Sequence, residues 1–259
     1  MRQPTHFCVA PTHFCVTMCH RIQAGQEDAA PPYVDRREAP GVRANMRRER
    51  GERDDERRDR LLHGAAEPGG DRALDMLEEV GAPYRMHVLD LEKGEQKRAN
   101  FLAINPMGKV PAIVHQGTVV TEVAAICLCL ADAFPAADLA PSIGDPRRGT
   151  YLRWLLFVPG CLEPAMVDRG LERPPGPPRS LGYGDFDMTM EVLAGALTPG
   201  PCLLGEQFSA ADAIMGATVR WGLLIKLLPE RPELLAYASR LNERPALQRS
   251  MQQQAALAR

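Results

Sequence analysis

The chain has 259 residues, of which 45% are apolar and 25% charged, with a formal net charge of −2. That length holds one large domain or two small ones, and the composition is that of an ordinary globular protein. Near-neutral charge argues for neither a nucleic-acid nor a membrane partner, and no apolar run approaches the roughly 20 residues that span a bilayer. The N-terminus lacks the basic, apolar and small-residue regions of a secretory signal, so a cytoplasmic protein is expected. Seven cysteines, an odd number with no C-x-x-C spacing, do not make a disulfide framework. Cys127, Cys129, Cys161 and Cys202 lie among apolar residues and read as small buried hydrophobes kept reduced.

The first sixty residues do not resemble the rest. Pro4 to Ala10 is followed directly by a near-copy, Pro11 to Thr17, too short to be a structural repeat. From Asp35 to Arg60 the chain is rich in Arg, Asp and Glu and holds almost no large apolar residue. Such a run cannot offset the ~1–2 kcal/mol per residue needed to order it. Cys8, Cys15, Cys19 and the nearby histidines match no zinc-ligand spacing, so no metal is expected. The acids interleaved with the arginines cancel their charge, which weighs against nucleic-acid binding. Residues 1–60 are therefore expected to be a disordered or spurious extension, whose Arg-rich, Lys-free composition suits an unintended reading frame of a GC-rich gene.

From Leu61 onward the pattern becomes regular. A first strand is expected around Leu61–His63. Arg72 to Val80 carries apolar residues at helical spacing, and Gly81 stands where a helix C-cap belongs. Arg85 to Leu91 reads as a strand, and Lys97 to Ile104 as a short helix running into Asn105-Pro106. Val110 to His115 and Thr118 to Thr121 form a β-hairpin about Gly117. Glu122 to Ala133 is an apolar helix that ends before Pro135. Residues 135–146, with three prolines and a glycine, read as a linker. Beyond it everything is helix-like: Tyr151 to Val158 opens a long apolar helix, and Met188 to Leu197, Ala210 to Leu228 and Pro232 to Asn242 supply further helices. Pro174 to Pro178 makes a loop. Trp154, Trp221, Tyr151 and Tyr183 sit at helical spacing and read as core before pocket lining, with Met166, Met188 and Met190 open to either reading.

The densest chemical signal is Asn105-Pro-Met-Gly-Lys-Val-Pro-Ala-Ile113, followed by Gly117-Thr-Val-Val-Thr-Glu122. Val110-Pro111 begins an edge strand after a tight turn at Gly108, a place where proline removes a backbone donor and commonly marks a cis bond. A cis bond turns the Val110 amide and carbonyl outward to pair with an extended peptide. Glu122, at the mouth of the next helix, suits a ligand ammonium, and the helix N-terminal amides suit a carboxylate. A peptide with both groups at one end fits such a site.

These residues resemble the glutathione-binding segment of the glutathione transferases. A second pattern, Gly205-Glu-Gln-Phe-Ser209-Ala-Ala-Asp212, is similar to that family's last core helix, with Ser209 as N-cap, Asp212 three residues on and Phe208 just before the cap. The resemblance covers residues 71–259. It implies an α/β thioredoxin-like domain over 61–134, a linker over 135–146 and an all-α helical bundle over 147–259. It implies further that Val110, before Pro111, pairs with the cysteinyl part of glutathione, that Glu122 holds the γ-glutamyl amine, that the Val123 amide takes its carboxylate, and that Lys109 lies near the glycine carboxylate. Relatives often carry Ser where this chain has Val123, so a hydroxyl hydrogen bond of order ~1 kcal/mol is missing. Glutathione would be the co-substrate, with no metal, a small apolar electrophile the second substrate, and a homodimer the assembly.

The reaction the resemblance implies is attack by a glutathione thiolate. A free thiol has a pKa near ~8.5, and each unit of depression needs about 1.4 kcal/mol of thiolate stabilisation. Relatives supply it with a Tyr, Ser or Cys after the first strand. Here that position falls at about Pro68, and no Ser, Thr, Cys or Tyr occurs from Val34 to Pro83. His63 is the one neighbouring side chain able to donate to a thiolate, unless it is a solvent-facing residue at a strand end; Glu67 would repel the thiolate. The expected function is a glutathione transferase, impaired by this loss. The alternative is a non-catalytic glutathione-binding or scaffold protein on the same fold. A Cys-based thiol reductase is disfavoured, because no cysteine lies near the loop.

Overall fold

The computed structural model describes residues 60–65, 72–174 and 176–257. They all fall within one compact unit, Gly41–Arg259. The expectations for residues 1–59, for Glu67 and for Pro68 lie outside the described residues.

Four strands form one sheet: β1 (Arg60–Gly64), β2 (Arg85–Val88), β3 (Ala112–His115) and β4 (Thr118–Thr121). Their order is β2-β1-β3-β4, with β1 parallel to β2 and antiparallel to β3, and β3 antiparallel to β4. Helix α1 (Arg72–Val80) makes the crossover that a parallel β1–β2 pair requires, and α3 (Val123–Ala133) follows the hairpin. This βαβ-then-ββα order is the thioredoxin-like arrangement expected.

Side-chain alternation gives the sheet two apolar faces. Leu62 and Ile113 join the main core with Leu74, Met76 and Leu77 of α1 and Ile126 and Leu130 of α3. Ala112, one residue along, points the other way into a smaller cluster with Leu89 and Phe101, against which Val110 and Ile104 pack. Phe101 comes from the four-residue helix α2 (Ala99–Leu102), preceded by a 3-10 turn at Glu95–Lys97. The single helix expected over Lys97–Ile104 is thus two short turns, and the strand expected to reach Leu91 stops at Val88.

Among the described residues, every regular element of the second half is a helix, apart from isolated β-bridges within residues 202–207. Helices α4 (Arg148–Phe157) and α5 (Glu163–Gly170) are joined without a break by a π-helical turn, Val158–Leu162. Pro159 and Pro164 fall at the starts of the π turn and of α5. This is the long helix that Tyr151–Val158 was expected to open; the extra residue of the π turn lets the chain continue past both prolines. Then come α6 (Phe186–Leu197), α7 (Ala210–Leu224), α8 (Pro232–Asn242) and α9 (Pro245–Leu257). Helix α9 lies within the half expected to be helical but has no sequence signal of its own. Its buried residues are only Ala246, Leu247 and Ser250, so it has no apolar stripe for periodicity to reveal.

Helix α7 runs through the core, with Ala210, Ala211, Ile214, Met215, Ala217 and Val219 buried. Gly216 lets α8 approach closely, since a Cβ there would stand 2.0 Å from Leu241 Cδ1. The capping box is formed as expected. Asp212 Oδ2 accepts from Ser209 N at 3.0 Å and Ser209 Oγ at 2.8 Å, while Oδ1 accepts from Leu203 N at 2.8 Å and Tyr237 Oη at 2.9 Å. Tyr151 and Trp154 are core residues, as are Met166 and Met190, whereas Met188 is exposed. Tyr183 is half-buried and donates to Asp168 Oδ2 at 2.5 Å. Of the four cysteines read as hydrophobes, Cys127 is buried and the other three are partly exposed.

Candidate functional site

Three chain segments meet at one end of the sheet. The register pairs His63 with Ala112 and Ala112 with Thr121. The next residues along these strands are Gly64, the last residue of β1 and paired with Val88; Pro111, just before β3; and Glu122, just after β4. The loop before β3, the end of β1 and the head of α3 therefore converge at a common edge.

The Val110–Pro111 bond is cis, as the position of the proline suggested. The turn leading to it is built by Asn105, which is buried. Its Nδ2 donates to the Lys109 carbonyl at 2.7 Å, its Oδ1 accepts from Met107 N at 3.1 Å, and its carbonyl accepts from Gly108 N at 2.8 Å. Gly108 has φ +58, and a Cβ there would lie 2.7 Å from the Gln96 carbonyl oxygen, so only glycine fits. Lys97 Nζ donates to the Met107 carbonyl at 2.9 Å and ties the turn to the segment before α2. Asn105 and Lys97 were not singled out from sequence. The side-chain turn that Asn favours before a proline was the available signal for Asn105; nothing in the sequence marks Lys97.

Val110 is half-buried against the smaller core, and Lys109 is exposed. Glu122 is exposed and has φ +66, a left-handed conformation that a non-glycine residue holds at a cost of order 1–3 kcal/mol. Its carbonyl accepts the first helical bond, from Ile126 N at 2.9 Å, while its carboxylate caps no amide of α3. Val123 follows as the first residue of α3, where amides lack intrahelical partners. This end of the sheet thus carries an exposed carboxylate at the head of a helix, near the cis Val110–Pro111 bond.

His63 is not the solvent-facing strand-end residue that would have left it without a role. It is 5% exposed and packs against Phe101, with ring centroids 5.7 Å apart. Its Nδ1 lies 3.1 Å from His87 Nδ1, a bond that requires one ring to donate and the other to accept, and its Nε2 is buried without a partner. Burial, reinforced by His87, pushes its pKa from 6.5 down to about 4. The buried imidazole thus packs on Phe101, which belongs to the same small cluster that Val110 packs against. Arg72, at the first turn of α1, pairs with Glu163 of α5 at 2.5 Å. Among the described residues, no group of three or more His, Cys, Asp or Glu side chains could hold a metal ion.

Residues 69–133 match the family description "Glutathione S-transferase, N-terminal domain". Glutathione S-transferase GstA of Escherichia coli O157:H7 is 29% identical over 177 residues, covering 66% of this chain and 87% of that protein. Disulfide-bond oxidoreductase YfcG of Escherichia coli K12 is 30% identical over 199 residues, covering 71% of this chain and 91% of that protein. The solved structure of a sphingomonad glutathione S-transferase complexed with glutathione is 28% identical, with a TM-score of 0.63, and covers 75% of this chain and 98% of its own. The fold, the edge at Val110 and these likenesses agree: the chain belongs to the glutathione S-transferase family.

Proposed function

We propose that this protein binds glutathione along Val110 and joins it, through its sulfur, to small, apolar electrophiles. The observation that carries the reading is the register itself. It sets the cis Val110–Pro111 edge directly beside Glu122 and the first amides of α3. A tripeptide whose first residue bears both an ammonium and a carboxylate matches that edge in charge and in shape. Val110 would pair with the cysteinyl main chain, Glu122 with the γ-glutamyl ammonium, the Val123 amide with the neighbouring carboxylate and Lys109 with the glycine carboxylate.

In this reading the thiol lies where the end of β1 approaches Pro111. Helix α1 offers the positive end of its dipole there, which favours a thiolate by a few tenths to about 1 kcal/mol. The thiolate attacks the electrophilic carbon, a C–S bond forms, and the leaving group departs with the electron pair of its own bond. The missing hydroxyl between Val34 and Pro83 favours a second reading, a glutathione-binding protein with little turnover. Glutathione supplied with a chlorinated dinitrobenzene separates the two: binding with turnover supports the first, binding without turnover the second. Failure of immobilised glutathione to retain folded protein would refute both. The proposal extends to a detoxifying homodimer in the cytoplasm, and light scattering that returns a monomer mass would overturn the dimer. No helix among the described residues is long and apolar enough to cross a membrane.

A further inference from the structure

One buried side chain, Asn105, gathers the loop that leads into β3. It is 3% exposed, and its amide works at both ends: Oδ1 accepts from Met107 N at 3.1 Å, and Nδ2 donates to the Lys109 carbonyl at 2.7 Å. The second distance lies at the short end of the N–H···O range. Turning the amide over would set its NH2 against the Met107 N–H and its oxygen against the Lys109 carbonyl, two repulsions in place of two bonds. Its orientation is therefore fixed by its surroundings.

The Lys109–Val110 peptide is trans. In a planar trans peptide the carbonyl and the N–H lie on opposite sides of the C–N bond and point in opposite directions. With the Lys109 oxygen drawn toward the buried Asn105, the Val110 N–H must point away from Asn105. Among the described residues that N–H has no hydrogen-bond partner, and neither has the Val110 carbonyl. One buried donor thus decides the direction of a main-chain group that the fold itself does not use.

We infer that Asn105 is a positioning residue for the peptide ligand: by holding the Lys109 carbonyl, it aims the Val110 N–H at the cysteinyl carbonyl of glutathione. This rests on the reading that Val110 pairs with the cysteinyl main chain. Asn105 acts through Val110 and touches no atom of the ligand. A donor already held in its bound direction needs no reorientation when the ligand arrives, so the cost of ordering the loop falls on folding and not on binding. Without the Asn105 donor, the Lys109–Val110 plane is free to turn about its flanking torsions, and the N–H loses its aim.

The test compares the full-length protein with Asn105→Ser and Asn105→Ala, each checked for folding by circular dichroism. A serine hydroxyl can still accept from the Met107 N–H, as serine does in turns of this kind, but it is too short to reach the Lys109 carbonyl. Two ligands are titrated: glutathione, and γ-glutamylcysteamine, which keeps the γ-glutamyl end and the thiol but has no cysteinyl carbonyl. In both variants the dissociation constant for glutathione should rise roughly five- to tenfold, the share of one hydrogen bond, and that for γ-glutamylcysteamine by less than about twofold. In protein labelled at valine nitrogen, glutathione should move the Val110 amide proton signal downfield in the wild type and shift it far less in Asn105→Ser. Equal losses for the two ligands overturn the inference, as does an unchanged glutathione affinity in a well-folded variant. A Val110 signal that responds alike in both proteins overturns it too, and decides the matter if γ-glutamylcysteamine binds the wild type too weakly to titrate. Should Asn105→Ala unfold, Asn105→Ser carries the comparison. If the unmodified protein retains no glutathione, the reading and this inference fail together; retention with an indifferent Asn105→Ser sinks the inference alone.

Discussion

Acidification from pH 7 to pH 5 is expected to destabilise this fold by about 2 kcal/mol through His63 alone. The imidazole is 5% exposed, its Nε2 has no partner, and its pKa is about 4 against an ordinary 6.5. The unfolded chain therefore takes up the proton first, near 6.5, while the folded chain resists until about 4. Stability from the neutral ring is fully present above the higher value and is lost progressively as pH falls toward the lower one. The gap between the two values corresponds to about 3 kcal/mol when complete, of which about 2 is lost by pH 5. For a folded region of this size that is a fall in Tm of roughly 4–8 °C. Thermal unfolding followed by circular dichroism at pH 7, 6 and 5 measures it. Carboxylates also contribute to acid lability, so the comparison is with His63→Phe, which keeps an aromatic ring against Phe101. That variant should lose about 2 kcal/mol less over the same interval. If both proteins lose the same stability, His63 is not the group that senses the proton.

Glu122→Gln removes the carboxylate proposed for the ligand ammonium and should weaken glutathione binding at least about tenfold in calorimetry, with an unchanged unfolding curve. Gly108→Ala places a methyl 2.7 Å from the Gln96 carbonyl oxygen at φ +58, so the turn that carries Val110 must shift. Its left-handed strain and clash should destabilise the protein by about 2 kcal/mol and weaken glutathione binding, both read from ligand-dependent thermal shifts. Asp212→Ala strands the buried donors of Leu203, Ser209 and Tyr237 and should cost about 3–5 kcal/mol in urea unfolding; a change below about 1 kcal/mol would show that the capping network does not hold α7.

Much of the architecture was legible because local chemistry and tertiary structure agree. The apolar spacing of Arg72–Val80 followed by Gly81 gave α1 to the residue, and Gly81 does adopt φ +65. Ser209 and Asp212 announced a capping box that the structure forms. Proline after Val110 signalled the cis bond. Where the chain departs from expectation, a distant contact made the choice. Residues Pro245–Leu257 have no apolar stripe and are held as α9 by Glu78 and Asp75, more than 160 positions away in the sequence. The long helix that Tyr151–Val158 opens does run on, as expected, but it passes Pro159 and Pro164 through a π turn that no propensity predicts.

The residue types of the candidate site were visible in the sequence; their coming together was not. Val110, Pro111, Glu122 and Val123 could be named from a short motif, since a cis proline and a helix mouth are local events. Strand register alone brings them beside the end of β1, and register depends on which faces of β1 and β3 bury Leu62, Ile113 and Ala112. His63 shows the difference most sharply. Its sequence neighbours allowed either an exposed strand end or a thiol donor, and alternation within a sheet covered by α2 made it a neutral, buried ring. Composition and periodicity fixed which segments are helices and strands, because those depend on neighbours along the chain. Burial, charge pairing and proton affinity came only with the fold, because those depend on neighbours in space.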